Sequence, residues 1–382
     1  MRQGTEGEER AAEQGLEGAG RGQADHRWNS LEWRRNGEIG TQLVPGPRGA
    51  ATLPRPSSRS RSSVPSPDFH QLQSIDPAAL ADEARAGLLR PTASVSPKFF
   101  YDALGSRLFD AITELDEYYP TRTEAAIFAA HGAAMAKAVQ ARIGHGFSLV
   151  DLGAGDGAKA ARLFPLLQPA RYVAVDISVD HLRQSMQRLQ REHPALPMVG
   201  VGLDFSQRLH LPATLCPGPA LVFYPGSSIG NFDAEAAVRL LREARALSAG
   251  GALLIGVDLV KDQATLEVAY DDPLGVTAAF NLNLLRHLNR LIGSDFDARQ
   301  WQHRARYDVA ASRIEMHLLA REALSVRWPG GERAFAAGEA VHTENSYKWT
   351  LPAFDALLRD AGWRDPLHWT DQRQAFAVVL AS

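Results

Sequence analysis

This sequence has a single cysteine, no long apolar run and no large excess of one charge, and each of these features excludes a class of protein. Cys216 is the only cysteine among 382 residues, which excludes an internal disulfide framework and a cysteine-rich zinc site. No apolar run approaches the roughly 20 residues of a membrane-spanning helix, and no apolar N-terminal stretch predicts a secretory signal. The twelve histidines show no HExxH or similar ligand spacing. We therefore expect a cytoplasmic protein without a metal site.

The charge balance predicts no strongly basic surface. The formal net charge is −3, so nothing indicates a nucleic-acid partner. A composition of 45% hydrophobic and 22% charged residues is ordinary for a globular protein. The length is sufficient for one large domain or two smaller ones. We expect a monomer that binds a small molecule and neither nucleic acid nor a membrane.

Residues 1–68 differ in composition from the rest of the chain. They are rich in Gly, Arg, Glu, Ser and Pro, and their only aromatic residues are Trp28 and Trp33. Such a segment buries too little apolar surface to offset its conformational entropy. The sequence therefore predicts a disordered tail, to which we assign no activity. An arm that binds RNA or a partner is less favoured, because the Ser/Arg/Pro tract at residues 57–67 is very short.

The following residues alternate between apolar runs and helical patterns. Strands are predicted at residues 147–153, 172–177, 198–205, 220–224 and 251–259, and helices from about 158, at 178–193 and at 234–246. This order predicts a parallel, doubly wound sheet. Residues 262–348 break it, with a helix at 278–291 and a strand at 313–319. A helix at 351–361 and strands at 367–370 and 375–380 predict that the C-terminus rejoins the sheet.

A glycine loop, GAGDG, follows the first predicted strand. Gly153, Gly155 and Gly157 let the backbone turn sharply at the carboxyl edge of the sheet, where doubly wound folds bind ligands. Asp176 ends the second predicted strand, where an acid can accept both hydroxyls of a ribose. These features fit NAD and S-adenosylmethionine equally well. A phosphate-binding loop of the GxxxxGK[ST] type is excluded, because the pattern does not occur.

Charge near the loop favours S-adenosylmethionine over NAD. Asp151 and Asp156 flank the glycines, whereas a pyrophosphate needs a helix N-terminus free of acids. A sulfonium cofactor carries no phosphate, and Lys159 is placed to meet its methionine carboxylate. Asp204 and Phe205, at the end of the third predicted strand, offer an acid to the adenine amino group and an aromatic side chain to its ring. A strand–helix turn without a ligand stays an alternative.

Two further stretches narrow the choice among these ligands: PKFFYDALGSRLFDAITELDEYYPTRTE (97–124) and FYPGSSIGNF (223–232). With VDLVKD (257–262), AYDDPLGVTAAFN (269–281) and HTENSYKW (342–349), they closely resemble the histidine-specific N-alpha-methyltransferases of ergothioneine biosynthesis. The resemblance runs from about residue 75 to 382. It implies transfer of three methyl groups from S-adenosylmethionine to the alpha-amino nitrogen of L-histidine, which gives hercynine.

The resemblance also implies a fold and a set of site residues. The fold is a Rossmann-like class I methyltransferase, residues 122–261 and 349–382, with an inserted smaller α+β substrate domain, residues 75–121 and 262–348. The donor site is assigned to Gly153, Lys159, Asp176, Asp204 and Phe205. A substrate contact is assigned to Tyr118, the carboxylate clamp to Asn231 and Tyr270, the imidazole contacts to Glu344 and Ser346, and the pocket lining to Tyr101, Phe109, Gly226 and Met316.

The chemistry of these side chains agrees with that assignment. Tyr101 and Phe109 would give a trimethylammonium product an aromatic wall, and Tyr101 is a candidate member of a water relay that removes the amine proton. Glu344 can accept a hydrogen bond from an imidazole N–H, and Ser346 can serve the other nitrogen. These assignments have structural alternatives. Tyr101 and Phe109 would then lie on a helix face packed on the sheet, Asn231 would be a turn residue, and Glu344 would be a solvated acid of a strand.

Three rival functions stay open at this point. One is a related N-methyltransferase for another amino acid or a tryptophan derivative, against which Glu344 and Ser346 argue. Another is an NAD-linked oxidoreductase, which an absorbance change of nicotinamide would reveal. The third is a binding module without activity, which calorimetry would show as histidine binding without turnover.

Overall fold

The computed structural model describes residues 66–73 and 76–382, and within these residues it contains nine α-helices and thirteen β-strands. The helices are α1 (Pro77–Leu88), α2 (Ala103–Thr113), α3 (Tyr119–Ile143), α4 (Ala158–Leu167), α5 (Val179–Glu192), α6 (Ala234–Ser248), α7 (Gln263–Val268), α8 (Val276–Ile292) and α9 (Leu351–Asp360). The strands are β1 (Asp68–Gln71), β2 (Ser148–Leu152), β3 (Arg171–Asp176), β4 (Met198–Gly202), β5 (Ala220–Tyr224), β6 (Ala252–Asp258), β7 (Trp301–Asp308), β8 (Arg313–Ala320), β9 (Leu324–Trp328), β10 (Gly331–Phe335), β11 (Ala340–Tyr347), β12 (Leu367–Thr370) and β13 (Phe376–Ala381).

An eight-stranded sheet forms the centre of the described structure, with the order β1-β4-β3-β2-β5-β6-β13-β12. The first six strands in this order pair in parallel, whereas β13 is antiparallel to both β6 and β12. The chain proceeds outward from β2 in one direction through β3 and β4, and then in the other through β5 and β6. The strand order therefore reverses between β2 and β5, which is where such sheets bind ligands. This is the Rossmann-like order of class I methyltransferases.

Both faces of the sheet are covered, which explains why its central strands are apolar at nearly every position. Successive residues of β2 point to opposite faces, so Leu149 packs with α3, α4 and α5, and Val150 packs with α6 and α9. All five residues of β2, β4 and β5 are buried. Asp233 caps α6, because its side chain accepts a hydrogen bond of 2.8 Å from the Ala236 amide.

A second hydrophobic core lies outside the large sheet. It joins α1, α2 and α8 to the antiparallel sheet β11-β8-β7 and includes Leu88, Phe280, Leu284, Trp301 and Val341. Its residues come from two separate segments of the chain, 81–119 and 266–341. The division into two domains made from the sequence stays a prediction, with this core as its physical basis.

Several boundaries and elements differ from the sequence expectation. Residues 1–65 of the predicted tail lie outside the described residues, and Asp68 begins β1, which pairs with β4. The third predicted strand, 198–205, is too long: β4 ends at Gly202, and Asp204 lies in the loop beyond it. Its carboxylate accepts a hydrogen bond of 3.1 Å from the Ser206 amide, which favours a turn over a continued strand. The long helix α3 and the strands β7, β9, β10 and β11 had not been predicted. Among the described helices, none has the length and apolar character needed to cross a membrane.

Candidate active site

A cavity of about 460 Å³ lies at the carboxyl edge of the sheet, where the strand order reverses. This volume is within the range of small-molecule sites. Its lining includes seven residues that the sequence assigned to the site: Tyr101, Phe109, Gly153, Asp176, Asp204, Phe205 and Asn231. The structure therefore places four of the five proposed donor residues, and three of the residues proposed for the substrate pocket, around one space.

The glycine loop and Asp176 form one hydrogen-bonded unit. Gly155 has φ of 54° and donates from its amide to Oδ2 of Asp176 at 2.9 Å, while Oδ1 accepts from the Ser178 amide at 2.7 Å. A side chain at Gly155 would meet no atom within 4 Å, so this part of the loop opens on free space. Each carboxylate oxygen of Asp176 keeps a lone pair for a further donor, as two ribose hydroxyls require.

Asp204 and Phe205 lie on the loop after β4. A side chain at Gly153 would come within 3.8 Å of the Phe205 ring, so the ring borders the glycine loop. Oδ2 of Asp204 accepts from Nζ of Lys98 at 3.2 Å and from the Gln207 amide group at 3.2 Å. An acid and an aromatic ring thus lie together beside the loop, in the arrangement proposed for an adenine base.

Asp151, at the end of β2, holds a buried carboxylate oxygen that lacks a partner. Its Oδ2 accepts from the Tyr172 hydroxyl at 2.7 Å, but no group bonds Oδ1. Burial raises the pKa of Asp151 to about 7, although the Tyr172 hydrogen bond opposes this rise. An unpartnered acceptor two residues before the glycine loop suits a cationic ligand and disfavours a pyrophosphate. The residues therefore fit S-adenosylmethionine.

Aromatic rings connect the cavity to the interior of the second core. Tyr101 and Phe109 meet edge to face with centroids 5.8 Å apart, Phe109 and Tyr118 are 6.2 Å apart, and Tyr118 and Tyr270 are 6.1 Å apart. Burial raises the pKa of Tyr101, Tyr118 and Tyr270, so all three phenols stay protonated. Protonated phenols can donate hydrogen bonds, and their rings present an electron-rich surface to a cation.

Asn231 ends a 3-10 turn, Ser228–Asn231, that connects the large sheet to β11. A side chain at Gly230 would come within 2.9 Å of the Tyr347 carbonyl oxygen and 3.5 Å of Ser346 Oγ, so the turn contacts the end of β11 directly. Gly226 has φ of 77° just before the turn, and its amide donates to Oε1 of Glu124 at 2.7 Å. The turn thus holds Asn231 between the edge of the large sheet that is proposed to bind S-adenosylmethionine and β11, the strand that carries Ser346.

Glu344 lies on β11 opposite Met316 of β8, next to a shift in strand register. Burial raises the pKa of Glu344 to about 7, against the opposing charge of Lys348. The side chain nevertheless keeps some accessible surface. The pKa of Tyr101 is raised mainly by its own burial and secondly by the negative charge of Glu344. The Glu344 carboxyl is therefore poorly solvated and close enough to Tyr101 for its charge to affect that phenol.

Tyr270 and Ser346 meet at a buried lysine that the sequence analysis had not singled out. The two hydroxyl oxygens are 2.8 Å apart, and Nζ of Lys348 lies 3.0 Å from Tyr270 Oη and 2.8 Å from Ser346 Oγ. Lys348 also pairs with Oδ2 of Asp258 at 2.8 Å. Burial by itself would raise the pKa of Asp258, but Lys348 and Lys261 hold it below the usual range.

Lys159 is the predicted donor residue that does not line the cavity. Its Nζ bonds Oε2 of the buried Glu124 at 2.7 Å and lies beneath Gly226, where a side chain would approach it to 3.0 Å. Glu124 belongs to α3, a helix that the sequence analysis did not predict, so this pairing was not foreseen. Lys159 here supports the turn before Asn231, and its contact with a cofactor stays a prediction.

The residues missed by the sequence analysis are mainly charged groups with little exposed surface, one of them lining the cavity (Lys98) and the others outside its lining: Glu124, Asp258, Lys261 and Lys348. All five lie within stretches that carry the family resemblance: Lys98 and Glu124 in residues 97–124, Asp258 and Lys261 in VDLVKD, and Lys348 in HTENSYKW. Across residues 66–73 and 76–382, no group of three or more His, Cys, Asp or Glu side chains is placed to hold a metal ion.

The sheet order, the glycine loop and the acids at successive strand ends define a Rossmann-like class I methyltransferase that uses S-adenosylmethionine. Comparison with known sequences narrows the class to a family. The sequence profile described as "Histidine-specific methyltransferase, SAM-dependent" matches residues 80–382.

Curated relatives agree with this match. The chain is 41% identical over 310 residues to a histidine N-alpha-methyltransferase of Mycolicibacterium smegmatis, covering 79% of this chain and 94% of the relative. It is 39% identical over 311 residues to the protein of the same name from Mycobacterium tuberculosis, covering 80% and 95%. Ergothioneine biosynthesis protein 1 of Neurospora crassa is 27% identical over 291 residues, covering 71% and 31%. The chain belongs to the family of histidine-specific, S-adenosylmethionine-dependent methyltransferases.

Proposed function

We propose that this chain transfers three methyl groups from S-adenosylmethionine to the alpha-amino nitrogen of L-histidine, giving hercynine in ergothioneine biosynthesis. The observation that carries the proposal is the single cavity in which Asp176 and Asp204 meet Tyr101, Phe109 and Asn231. Family membership and the names of the two relatives at about 40% identity support histidine as the substrate.

Positioning is the main contribution that a protein makes to methyl transfer, because the reaction is a direct displacement. S-adenosylmethionine, when bound, supplies an electrophilic methyl group on a positively charged sulfur. We assign its ribose to Asp176, its adenine to Asp204 and Phe205, and its ammonium group to Asp151. The open space beside Gly155 leaves room for the cofactor at the turn of the loop.

The substrate amine has to be neutral to react, although free amino groups are largely protonated near neutral pH. A pocket lined by Tyr101 and Phe109, with Tyr118 packed against Phe109, disfavours the ammonium form, because aromatic rings replace water around it. We assign Tyr101 to a water relay for the released proton, since its phenol stays protonated and its ring borders the cavity. After the third transfer the same rings face a quaternary ammonium, which attracts them electrostatically.

Recognition of histidine would combine a clamp at the carboxylate with contacts at the ring. We assign the carboxylate to Asn231 and Tyr270, and the imidazole to Glu344 and Ser346. Glu344 would accept from one ring nitrogen, which relieves part of the cost of its burial. A site built on such hydrogen bonds rejects analogues without them by about 10⁴-fold or more.

The direct test is mass spectrometry of the purified chain incubated with L-histidine and S-adenosylmethionine. We expect mono-, di- and trimethylhistidine to appear in turn, with isotope from labelled methyl groups. Tryptophan and other amino acids, offered at equal concentration, should give far less product. Methylation of another amino acid with histidine inert would contradict the substrate assignment, and no methylation of any would contradict the activity.

Three further expectations belong to this proposal. Residues 75–121 and 262–348 would form the substrate-binding part around the second hydrophobic core, and 122–261 with 349–382 the donor-binding part. The chain would act as a monomer without nucleic acid, which light scattering and gel-shift assays can check. It would be located in the cytoplasm, as fractionation of cells can test.

A further inference from the structure

Lys348 is the most deeply buried cation near the proposed imidazole site. Its side chain is 0% exposed, and its ammonium nitrogen contacts three oxygens: Asp258 Oδ2 at 2.8 Å, Ser346 Oγ at 2.8 Å and Tyr270 Oη at 3.0 Å. A lysine ammonium has three N–H donors and no acceptor. All three donors are therefore used, and both hydroxyl oxygens accept a hydrogen bond from the same cation.

The backbone around Lys348 holds it in this position. Its amide donates to the Ser312 carbonyl at 2.8 Å, and the Ser312 hydroxyl donates back to the Lys348 carbonyl at 2.9 Å. The next residue, Trp349, donates from its amide to the carbonyl of Asp258 at 3.1 Å. The strand that carries Ser346 and the acid that pairs with Lys348 are thus fixed against each other.

Counting protons shows what Lys348 does to Tyr270 and Ser346. Each hydroxyl has one proton to donate and two lone pairs. Lys348 occupies one lone pair on each oxygen, and the 2.8 Å contact between the oxygens uses one more lone pair and one proton. One proton is then left over, and it points away from the lysine. If a ligand replaces the contact between the hydroxyls, each oxygen offers it one proton and one lone pair, whereas without Lys348 each would offer one proton and two lone pairs.

We propose that Lys348 is a positioning residue that makes Ser346 and Tyr270 hydrogen-bond donors toward the substrate, so that histidine is bound with a neutral imidazole ring. This inference rests on the proposed function. Glu344 accepts from one ring N–H, and a donating Ser346 requires the other ring nitrogen to be an unprotonated acceptor. A positive charge 2.8 Å from Ser346 Oγ also opposes a second positive charge on the ring. Tyr270 correspondingly donates to the carboxylate.

The test compares Lys348→Met with Lys261→Met. Lys261 pairs with the other oxygen of the same acid, Asp258 Oδ1, at 2.6 Å, and contacts neither Tyr270 nor Ser346. Each variant removes one of the two lysines that pair with Asp258, so any loss of stability caused by a weaker charge balance at Asp258 is expected in both. Calorimetry with S-adenosylhomocysteine should give affinities within about two-fold of wild type for both. Histidine affinity should fall at least about ten-fold in Lys348→Met and stay within about two-fold in Lys261→Met.

A second readout reports the ring itself. Histidine labelled with ¹⁵N in the imidazole is bound to the protein at pH 8 together with S-adenosylhomocysteine, which has no methyl group to transfer, so no turnover occurs. In the wild type and Lys261→Met, we expect one protonated and one unprotonated nitrogen, which is a single neutral tautomer. In Lys348→Met, at saturating histidine, we expect mixed tautomers or a doubly protonated ring.

The outcomes separate this inference from the proposed function. A doubly protonated ring in the wild type, or unchanged histidine affinity and ring state in Lys348→Met, would overturn the role of Lys348 while leaving histidine methylation intact. If Lys348→Met does not fold, the variant Lys348→Met/Asp258→Asn removes both partners of the pair, and the same two readouts apply. Failure of the wild type to methylate histidine would instead overturn the function.

Discussion

Nζ of Lys98 lies 3.2 Å from Oδ2 of Asp204 and 2.6 Å from Oε2 of Glu83. The lysine belongs to the 3-10 segment Pro97–Phe100, whose phenylalanines pack in the second core, and Asp204 lies on the donor side of the cavity. Lys98 and Asp204 are only 10% and 11% exposed in their side chains, so water screens this pair weakly. The pair therefore links the proposed adenine acid to the element that carries Tyr101.

Asp204→Asn should weaken cofactor binding selectively. An amide in place of the carboxylate loses one acceptor and directs a donor at Lys98 and at the adenine amino group. A hydrogen bond to a charged group contributes about 1.5–3 kcal/mol, so we expect S-adenosylhomocysteine to bind roughly 10- to 100-fold more weakly by calorimetry. Glu83→Gln is the matched control, because it removes the other partner of Lys98 and leaves Asp204 unchanged. Equal loss in both variants would contradict the adenine assignment.

Asp176→Asn should also weaken the binding of S-adenosylmethionine, because Asp176 is assigned to the ribose and also holds the glycine loop. An asparagine oxygen can replace only one of the two acceptors that now hold Gly155 and Ser178, so we expect the Michaelis constant for S-adenosylmethionine to rise about 10- to 100-fold. The Michaelis constant for histidine should change much less. Asp156→Asn is the control, since Asp156 belongs to the same loop, and its oxygen accepts only from the neighbouring Ala158 amide at 2.9 Å. Unaltered donor kinetics in Asp176→Asn would refute the ribose role.

Glu344→Gln should stabilise the substrate-free protein above pH 7 and impair histidine use. The pKa of Glu344 is raised from 4.5 to about 7, so its buried charge destabilises the fold fully above pH 7 and not at all below about 4.5. We expect the free energy of unfolding of Glu344→Gln to exceed that of wild type by about 1–3 kcal/mol at pH 8, a gain that shrinks as the pH falls toward 4.5.

Thermal unfolding of both proteins between pH 5 and pH 8 measures this difference. The variant should still bind S-adenosylhomocysteine normally, whereas kcat/KM for histidine should fall by at least ten-fold, because an amide accepts the ring N–H more weakly. A wild type that is more stable than Glu344→Gln at pH 8 would show that Glu344 has a structural partner, and the imidazole role would then lose its support.

The sequence predicted β2 to β6 and β13 of the large sheet because these strands are nearly continuous apolar runs, whereas β1, with the sequence DFHQ, was not predicted. The carboxyl ends of parallel strands meet at one edge, so Gly153, Asp176 and Asp204 were expected to lie together, and the structure places them around one cavity. The strands of the smaller sheet were harder to predict. In β7 and β11, buried and more exposed positions alternate, but several of the buried positions hold polar residues, namely His303, Thr343 and Ser346, and a register shift interrupts β11 next to Glu344.

Most of the buried charge pairs could not be predicted, because they join elements distant in the sequence, whereas Asp258 and Lys261 are only three residues apart. Asp258 and Lys348 come together through a bridge between Leu259 and Trp349, which connects the large sheet to the end of β11. Nothing in the local pattern around either residue indicates that contact. Glu124 was missed for a different reason. It lies on α3, an alanine-rich helix whose buried positions mostly recur three or four residues apart but include Glu124, Gly132 and Ala136, so the apolar periodicity was too weak to predict the helix.

Phe109→Leu should change the products more than the rate of the first transfer. The ring contacts Tyr101 and Tyr118 along the proposed path of the methylated nitrogen, and leucine keeps much of the volume but removes the aromatic face. Cation–π attraction contributes about 0.5–2 kcal/mol, and it remains when successive methyl groups have removed the N–H donors. The later, more methylated species therefore depend on it most.

We expect Phe109→Leu to release mono- and dimethylhistidine at several times the wild-type proportion, measured by mass spectrometry at low conversion. Phe128→Leu serves as the control, because Phe128 packs on Phe223 outside this cavity, with ring centroids 5.9 Å apart. An unchanged product ratio in Phe109→Leu, with all three transfers slowed equally, would mean that the ring shapes the pocket by volume alone. An increase confined to Phe109→Leu follows only if the aromatic face of Phe109 retains the partly methylated intermediates until the third methyl group is transferred.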